Sequence, residues 1–333
     1  MMLSVGVTLI GSVALRVYGV LKEKRFLLSR ERARLAALSG VDLVVSRLSG
    51  KNEKEALEQN SRWLLENYDR WIVLPVMGND DTQNEKIVLR VQPEDGKINL
   101  NAFYNSDKKV FTLPKVSAGT TSFAGSFFKA FDEIAKGIGF EKFYETLQAL
   151  LKERKEPLVD MSEMFSLESV KSERITLFPP LPSFGEGGSI DTPLALSDFF
   201  VMAPIVQKGL QLWPLHFSSG MMQVLGLAPW PVDEKERAEV AKDLLKRLGN
   251  KPVIWNQQWN NLVGKPFKKS WSDISKLGLD AGEALEKSSR ASFVSVVSYG
   301  VVGGVTQGVY AILRLYQGVD SSYVYTVTRL YWI

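Results

Sequence analysis

The chain has 333 residues, of which 45% are hydrophobic and 23% are charged, a composition typical of a protein with an ordinary core. Cysteine is absent, which excludes disulfides, zinc–thiolate sites and thiol nucleophiles. The net charge is only +4, and the basic excess lies between Lys22 and Arg47, where it favours contact with lipid or a partner helix over nucleic acid.

The N-terminal segment is apolar from Met1 to Leu21, with Arg16 as its single charge, and continues without proline into a basic amphipathic stretch, Lys22–Leu48. This pattern predicts one long helix in residues 1–50 that anchors the protein in a membrane and carries the rest. The basic residues that follow the apolar run would place the next domain in the cytoplasm. Because that conflicts with the function argued below, we expect the reading frame to extend upstream of Met1.

Apolar side chains recur at helical spacing in the second part of this helix. The chain's own sheet can cover only part of the helix, because the helix is longer than a strand is wide. The uncovered part is expected to contact partner helices, and the candidate assembly residues are Leu27, Leu28, Leu35, Leu38, Val41 and Val45.

The pattern of residues 51–105 predicts the first part of a sheet domain. A strand is expected to start at Ile72, and a second one, EKIVLRVQP, ends at Pro93. Glu94–Lys97 is predicted to be an Asp-Gly hairpin turn, after which residues 98–105 return as a further strand.

Residues 106–288 show helical spacing and predict an inserted domain with two related halves, at about 120–178 and 194–282. From residue 289 to residue 333 the sequence becomes β-branched and aromatic, which predicts three returning antiparallel strands. The predicted fold class is therefore α+β, with a long N-terminal helix on a small antiparallel sheet and a large, mostly helical insertion.

The sequence offers few residues that could form a catalytic site. It contains one histidine, His216, and neither a phosphate-binding Gly-rich loop nor a Gly-x-Ser-x-Gly motif. A packing role is favoured for His216, with an envelope hydrolase as a minor alternative. Five tryptophans lie within some sixty residues and are expected to be core, with Trp255 and Trp259 as the pair most open to solvent.

Acidic residues that could each serve a hard cation are scattered, and they form no ligand series. Turn positions are the favoured interpretation for all of them, and metal binding stays open; they are Asp80, Asp81, Glu94, Asp95 and Asp191.

Several segments together resemble one known family. EDGKINLNAF, which contains Asp95–Asn101, is similar to a turn and strand of minor pseudopilin K of bacterial type II secretion, the general secretion pathway protein K family. ARLAALSGVDLVVSRL resembles the end of that family's N-terminal helix, and KSSRASFVSVVSYG resembles its returning strands. The resemblance implies a pilin-like fold and a single-pass protein of the bacterial inner membrane, with most of the chain in the periplasm.

The resemblance also implies a function without catalysis and without a cofactor. A pseudopilin at the tip of the pseudopilus would act in the export of folded proteins across the outer membrane. The absence of an acidic residue between Met1 and Leu21 fits a subunit with no neighbour beyond it. Calcium is possible in the family, but the acidic loop for it is absent here. The implied partners are the other minor pseudopilins, the major pseudopilin, the inner membrane, and secreted proteins or the outer-membrane secretin.

A second interpretation comes from a different class of protein. The paired helical segments faintly resemble helix-hairpin-helix domains, which bind the nucleic-acid backbone through a Gly-rich hairpin. Ile134–Gly139 could form such a hairpin. The insertion lacks a dense basic stripe, so nucleic-acid binding is kept only as the alternative.

Overall fold

The structure is a computed structural model that describes residues 2–49, 53–76, 85–114, 122–137, 142–167, 176–184, 190–191, 195–202, 212–231, 233–248, 253–278, 291–317 and 322–333. Its α-helices are α1 (Met2–Leu48), α2 (Glu53–Asn67), α3 (Phe123–Gly137), α4 (Phe143–Lys152), α5 (Ser219–Val224), α6 (Glu234–Leu248), α7 (Trp255–Trp259), α8 (Lys265–Phe267) and α9 (Trp271–Ser275). Its strands are β1 (Trp71–Pro75), β2 (Lys86–Pro93), β3 (Ile98–Asn99), β4 (Tyr104–Asn105), β5 (Val110–Phe111), β6 (Ser183–Phe184), β7 (Ile190–Asp191), β8 (Phe200–Val201), β9 (Phe293–Val302), β10 (Val305–Gln317) and β11 (Tyr323–Trp332).

Five of these strands form one antiparallel sheet in the order β1-β2-β9-β10-β11. Strand β2 precedes the helical region and β9 follows it, yet the two are neighbours, with Val91 opposite Val296. Gly303 and Gly304 join β9 to β10 with φ of 57° and 78°, a conformation that glycine adopts without steric cost. The three returning strands predicted from the β-branched sequence are present.

The prediction of a hairpin after β2 is wrong. The turn itself is present, with Lys97 N donating to Glu94 O at 3.0 Å. The chain then leaves the large sheet: β3 pairs in parallel with β8, and a 3-10 turn, Leu100–Phe103, follows. Buried Asn101 draws the chain away, since its side chain exchanges hydrogen bonds of 2.9 and 2.7 Å with the backbone of Leu158. The position beside β2 is taken by β9 instead.

Helix α1 packs closely on one face of the sheet because small residues meet at the contact. A Cβ atom added to Gly300 would overlap the carbonyl oxygen of Ala33, and one added to Gly40 would overlap the hydroxyl of Ser298. The core between α1 and the sheet is mostly aliphatic, with Val44 from the helix among its buried side chains, and it also includes Tyr325.

The helical region packs against the other face of the sheet and around its own aromatic core. Phe131 of α3 lies 5.3 Å from Phe200 and 4.7 Å from Phe143, between ring centroids. Trp255 and Trp259 also belong to this core and are 0% exposed, so the expectation that they are the most solvent-open pair is wrong. Their spacing of four places both on the inner face of α7, while the polar residues between them point outward.

The predicted α+β class, with a long helix on an antiparallel sheet and a mostly helical insertion, is confirmed. The boundaries at residues 50, 105 and 288, and the two related helical halves, stay predictions.

Candidate assembly surface

Helix α1 has one face that its own chain covers. The residues on this face follow each other at intervals of three or four, which keeps them on one side of a helix. They pack against the sheet as Ala33, Ala37, Val41, Val44 and Leu48.

The opposite face of α1 carries a row of large apolar side chains that the described chain leaves exposed. We call Val17, Leu21, Leu28 and Leu35 the outer stripe. Intervals of four, seven and seven keep these residues within an arc of about 40° on a regular helix. Leu28 and Leu35 are each 63% exposed. Such a row on a single helix is a surface suited to packing against another helix.

The candidate residues from the sequence divide into three groups. Leu27, Leu28 and Leu35 are exposed. Leu38 and Val45 are partly buried against the core between α1 and the sheet. Val41 is only 2% exposed and lies within that core, so its assignment to an assembly surface is wrong.

Sequence reasoning missed Val17 and Leu21 as members of the same row, because both fell in the run interpreted as the membrane anchor. The seven-residue spacing of Leu21, Leu28 and Leu35 in the sequence could have shown that they lie on one face of the helix.

The sheet covers only the C-terminal part of α1. The turn between β9 and β10 reaches the helix at Ser29, whose hydroxyl would lie 2.8 Å from a Cβ atom at Gly303. The described side chains before it, from Ala14 to Leu28, are all exposed. Among the described residues, no helix is both long enough and apolar enough to cross a membrane.

Two charged residues hold the flanks of α1 to the sheet. Arg32 pairs with Glu85 at 2.7 Å, and the Arg34 guanidinium lies 4.4 Å from the ring centroid of Trp332. These two contacts add to the packing of α1 against the sheet.

A buried ionic cluster joins the sheet to the helical region. Arg90 of β2 donates to Asp69 through Nε at 2.6 Å and pairs with Asp198 at 3.2 Å, and Gln92 donates to both carboxylates. Burial alone would raise the pKa of Asp69, but the charge of Arg90 and hydrogen bonds from Ser219 and Gln92 outweigh it and lower this pKa to about 2. These paired charges are structural ties between the two parts of the chain.

His216 lies inside the protein. Burial lowers the pKa of His216 to about 3, so its imidazole is neutral at pH 7. Its ring lies 5.8 Å from the ring of Trp213, and its carbonyl group adjoins Gly96 in the turn after β2. This position is that of a packing residue between two segments.

The scattered acidic residues do not converge in the described part of the chain, where no group of three or more His, Cys, Asp or Glu side chains is placed to hold a metal ion. Glu94 pairs with buried Lys97, and the Asp95 carboxylate accepts from Ser292 N at 2.7 Å. Asp80 and Asp81 lie outside the described residues, as do Ile138 and Gly139 of the nucleic-acid alternative.

Comparisons with known proteins give a similarity to a solved structure. No protein family and no curated protein sequence matches the chain significantly. The chain is similar to a chain in the crystal structure of the GspK-GspI-GspJ complex from the enterotoxigenic Escherichia coli Type 2 Secretion System. The identity is 14% and the TM-score is 0.40, over 96% of this chain and 99% of that chain.

Proposed function

We propose that this chain is a non-enzymatic minor pseudopilin, the tip subunit of a type II secretion pseudopilus that acts in the export of folded proteins. The observation that carries the proposal is the outer stripe on α1, a helix that the chain's own sheet covers only in part. The sequence segments similar to the pseudopilin K family support the same function.

The protruding part of α1 needs an environment that the described chain does not supply. Residues 2–28 extend about 40 Å beyond the sheet at 1.5 Å per residue. Burying a large apolar side chain stabilises by about 1.5–3 kcal/mol, so leaving the outer stripe in water would forgo several kcal/mol. Partner helices and the inner membrane are the environments we propose, with the rest of the chain in the periplasm.

The partners follow from this arrangement. The other minor pseudopilins and the major pseudopilin would pack against the outer stripe through their own N-terminal helices. Secreted proteins and the outer-membrane secretin would meet the opposite end of the molecule. The helical region supports a tip position, because it adds bulk that would hinder lateral packing within a continuous filament.

The absence of catalysis is part of the proposal. The only histidine is neutral and buried, so it offers no general base to a substrate in solution.

Leu28→Glu tests the assembly surface. A carboxylate at this position would be buried without a partner when helices pack, at a cost of several kcal/mol. We expect the variant to lose co-purification with minor pseudopilin partners while the melting temperature of the protein stays almost unchanged, since Leu28 lies outside the sheet contact.

Ile254→Glu is the matched control, because Ile254 is a similarly exposed apolar residue in the helical region. This variant should co-purify like the wild type. Intact co-purification of Leu28→Glu would show that assembly uses another surface.

A further inference from the structure

A small pocket lies on the face of the sheet opposite α1, where the sheet meets β8. Its volume is about 80 Å³. Val201 and Met202 form one wall, and side chains from β9, β10 and β11 form the rest, namely Phe293, Ile312, Arg314, Thr328 and Arg329. The pocket thus combines apolar walls with two guanidinium groups.

A β-bulge places these groups together. The pairing of β10 with β11 shifts between Ile312 and Leu313, which leaves Thr328 as an extra residue in β11. Arg329 is therefore opposite Ile312, and Thr328 Oγ1 donates to the carbonyl of Ile312 at 3.0 Å. In a regular strand Thr328 and Arg329 would point to opposite faces, whereas here both line the pocket. Bulges that redirect side chains are common beside binding sites.

Both guanidinium groups contact neighbouring groups of the described chain that carry no charge. Arg329 donates to the carbonyl of Met202 at 3.2 Å. The Arg314 guanidinium lies 5.6 Å from the ring centroid of Phe293 and 5.1 Å from that of Tyr316. Within the described ranges, neither arginine forms an ion pair with a carboxylate. Arg329 is partly buried and hydrogen-bonded, so it loses little side-chain entropy when an anion binds, whereas Arg314 is exposed and lies against the two rings.

The surroundings of the pocket indicate a protein as the source of the anion. Tyr316 is opposite Val324 on neighbouring strands, and both are exposed on the same face as Arg314. Tyrosine and arginine are the residue types enriched where proteins bind each other. A pocket of about 80 Å³ has room for a carboxylate group.

We propose that this pocket binds the side-chain carboxylate of a Glu or Asp residue from an extended segment of a protein partner. Arg314 and Arg329 donate to the carboxylate, and the apolar walls hold the methylene groups behind it. The flanking residues of the segment lie on Tyr316 and Val324. This site is separate from the outer stripe of α1, and its test does not depend on the pseudopilin function.

The probe is a blocked tripeptide, acetyl-Leu-Glu-Leu-amide, titrated against the full-length protein by ligand-observed NMR. The matched neutral probe has Gln in place of Glu. We expect the Glu peptide to bind about tenfold more tightly than the Gln peptide, as a charge-assisted hydrogen bond predicts. Arg314→Gln and Arg329→Gln should each lose about tenfold in affinity.

Arg62→Gln is the control variant, because Arg62 is an exposed arginine that pairs with Glu66 on α2. It should bind the Glu peptide like the wild type. Arg314→Gln keeps the test valid if Arg329→Gln disturbs the backbone at Met202, since Arg314 lies against the rings of Phe293 and Tyr316. Equal binding of the two peptides, or full affinity of Arg314→Gln, would overturn the proposal. Tighter binding of inorganic phosphate, or of the Gln peptide with a free C-terminal carboxylate, would also overturn it.

Discussion

His216, the single histidine of the sequence, is buried in the protein. It stands in a short 3-10 turn, Pro214–His216, that rests against the turn after β2. Burial favours the neutral imidazole, which is why the pKa of His216 falls to about 3 from the ordinary value of 6.5. Because the folded state favours the neutral imidazole, His216 lowers the free energy of unfolding at acidic pH.

We predict that His216→Gln leaves secretion within a few-fold of wild type and removes part of the acid sensitivity of folding. The unfolded chain takes up a proton on His216 below pH 6.5, whereas the folded chain does so only near pH 3. Stability is therefore lost as the pH falls below 6.5, by about 2 kcal/mol at pH 5. Denaturant unfolding of both proteins at pH 7 and pH 5 measures the difference.

The sequence holds no second histidine that could mask this effect. If His216→Gln and the wild type lose the same free energy of unfolding between pH 7 and pH 5, the buried, neutral state of His216 is contradicted. A complete loss of secretion, with normal protein level and fold, would favour the hydrolase alternative.

At the scale of elements, the contact between α1 and the sheet depends on small residues. Ala33 and Ala37 on the helix and Ser298 and Gly300 on β9 let the two backbones approach closely. A close, well-ordered contact holds α1 at a defined rotation, and this rotation decides which of its apolar residues face outward.

A comparison of Gly40→Ala with Gly19→Ala distinguishes the steric effect of this contact on stability from the effect of helix propensity. Both changes remove a helix glycine, but a Cβ atom at Gly40 would overlap Ser298, whereas one at Gly19 would meet no atom within 4 Å. We expect Gly40→Ala to destabilise the protein by about 1–3 kcal/mol through overpacking. Gly19→Ala should leave the melting temperature unchanged or slightly higher.

Thermal unfolding of the two variants, monitored by circular dichroism, makes the comparison. If Gly40→Ala unfolds at the wild-type temperature, the close approach of α1 and the sheet is not needed for stability.

At the scale of the whole molecule, the sheet lies between two unlike neighbours. Helix α1 covers one face, and the helical region covers much of the other. The buried pairing of Arg90 with Asp69 and Asp198 ties that region to β2. The helical region thus lies on the side of the sheet away from the outer stripe.

The proposed tip position predicts where the protein lies in an assembled filament. We expect gold-labelled antibodies against this chain to mark one end of each pseudopilus in electron micrographs, because the bulky region prevents further subunits from stacking beyond it. Antibodies against the major pseudopilin should label the whole length. Labelling of this chain along the shaft would contradict the tip position and would leave the assembly surface unaffected.

The sequence by itself determined the elements whose signals are local. The uninterrupted apolar and amphipathic run predicts α1, and the β-branched segments after residue 291 predict β9, β10 and β11. The helical spacing of Leu28 and Leu35, together with the length of the helix, predicted that the sheet leaves part of this row uncovered, and both side chains are exposed. These features depend on helix and strand periodicity, which a short stretch of chain contains in full.

Only the tertiary structure decided the features that join distant segments. The Asp-Gly turn after β2 looks like a hairpin, yet the partner of β2 is β9, some 200 residues later, because buried Asn101 binds the backbone at Leu158. In the same way, Val41 belongs to the apolar spacing of α1 but is removed from its surface by the sheet. Burial and pairing depend on which parts of the chain meet in space, and no local pattern contains that information.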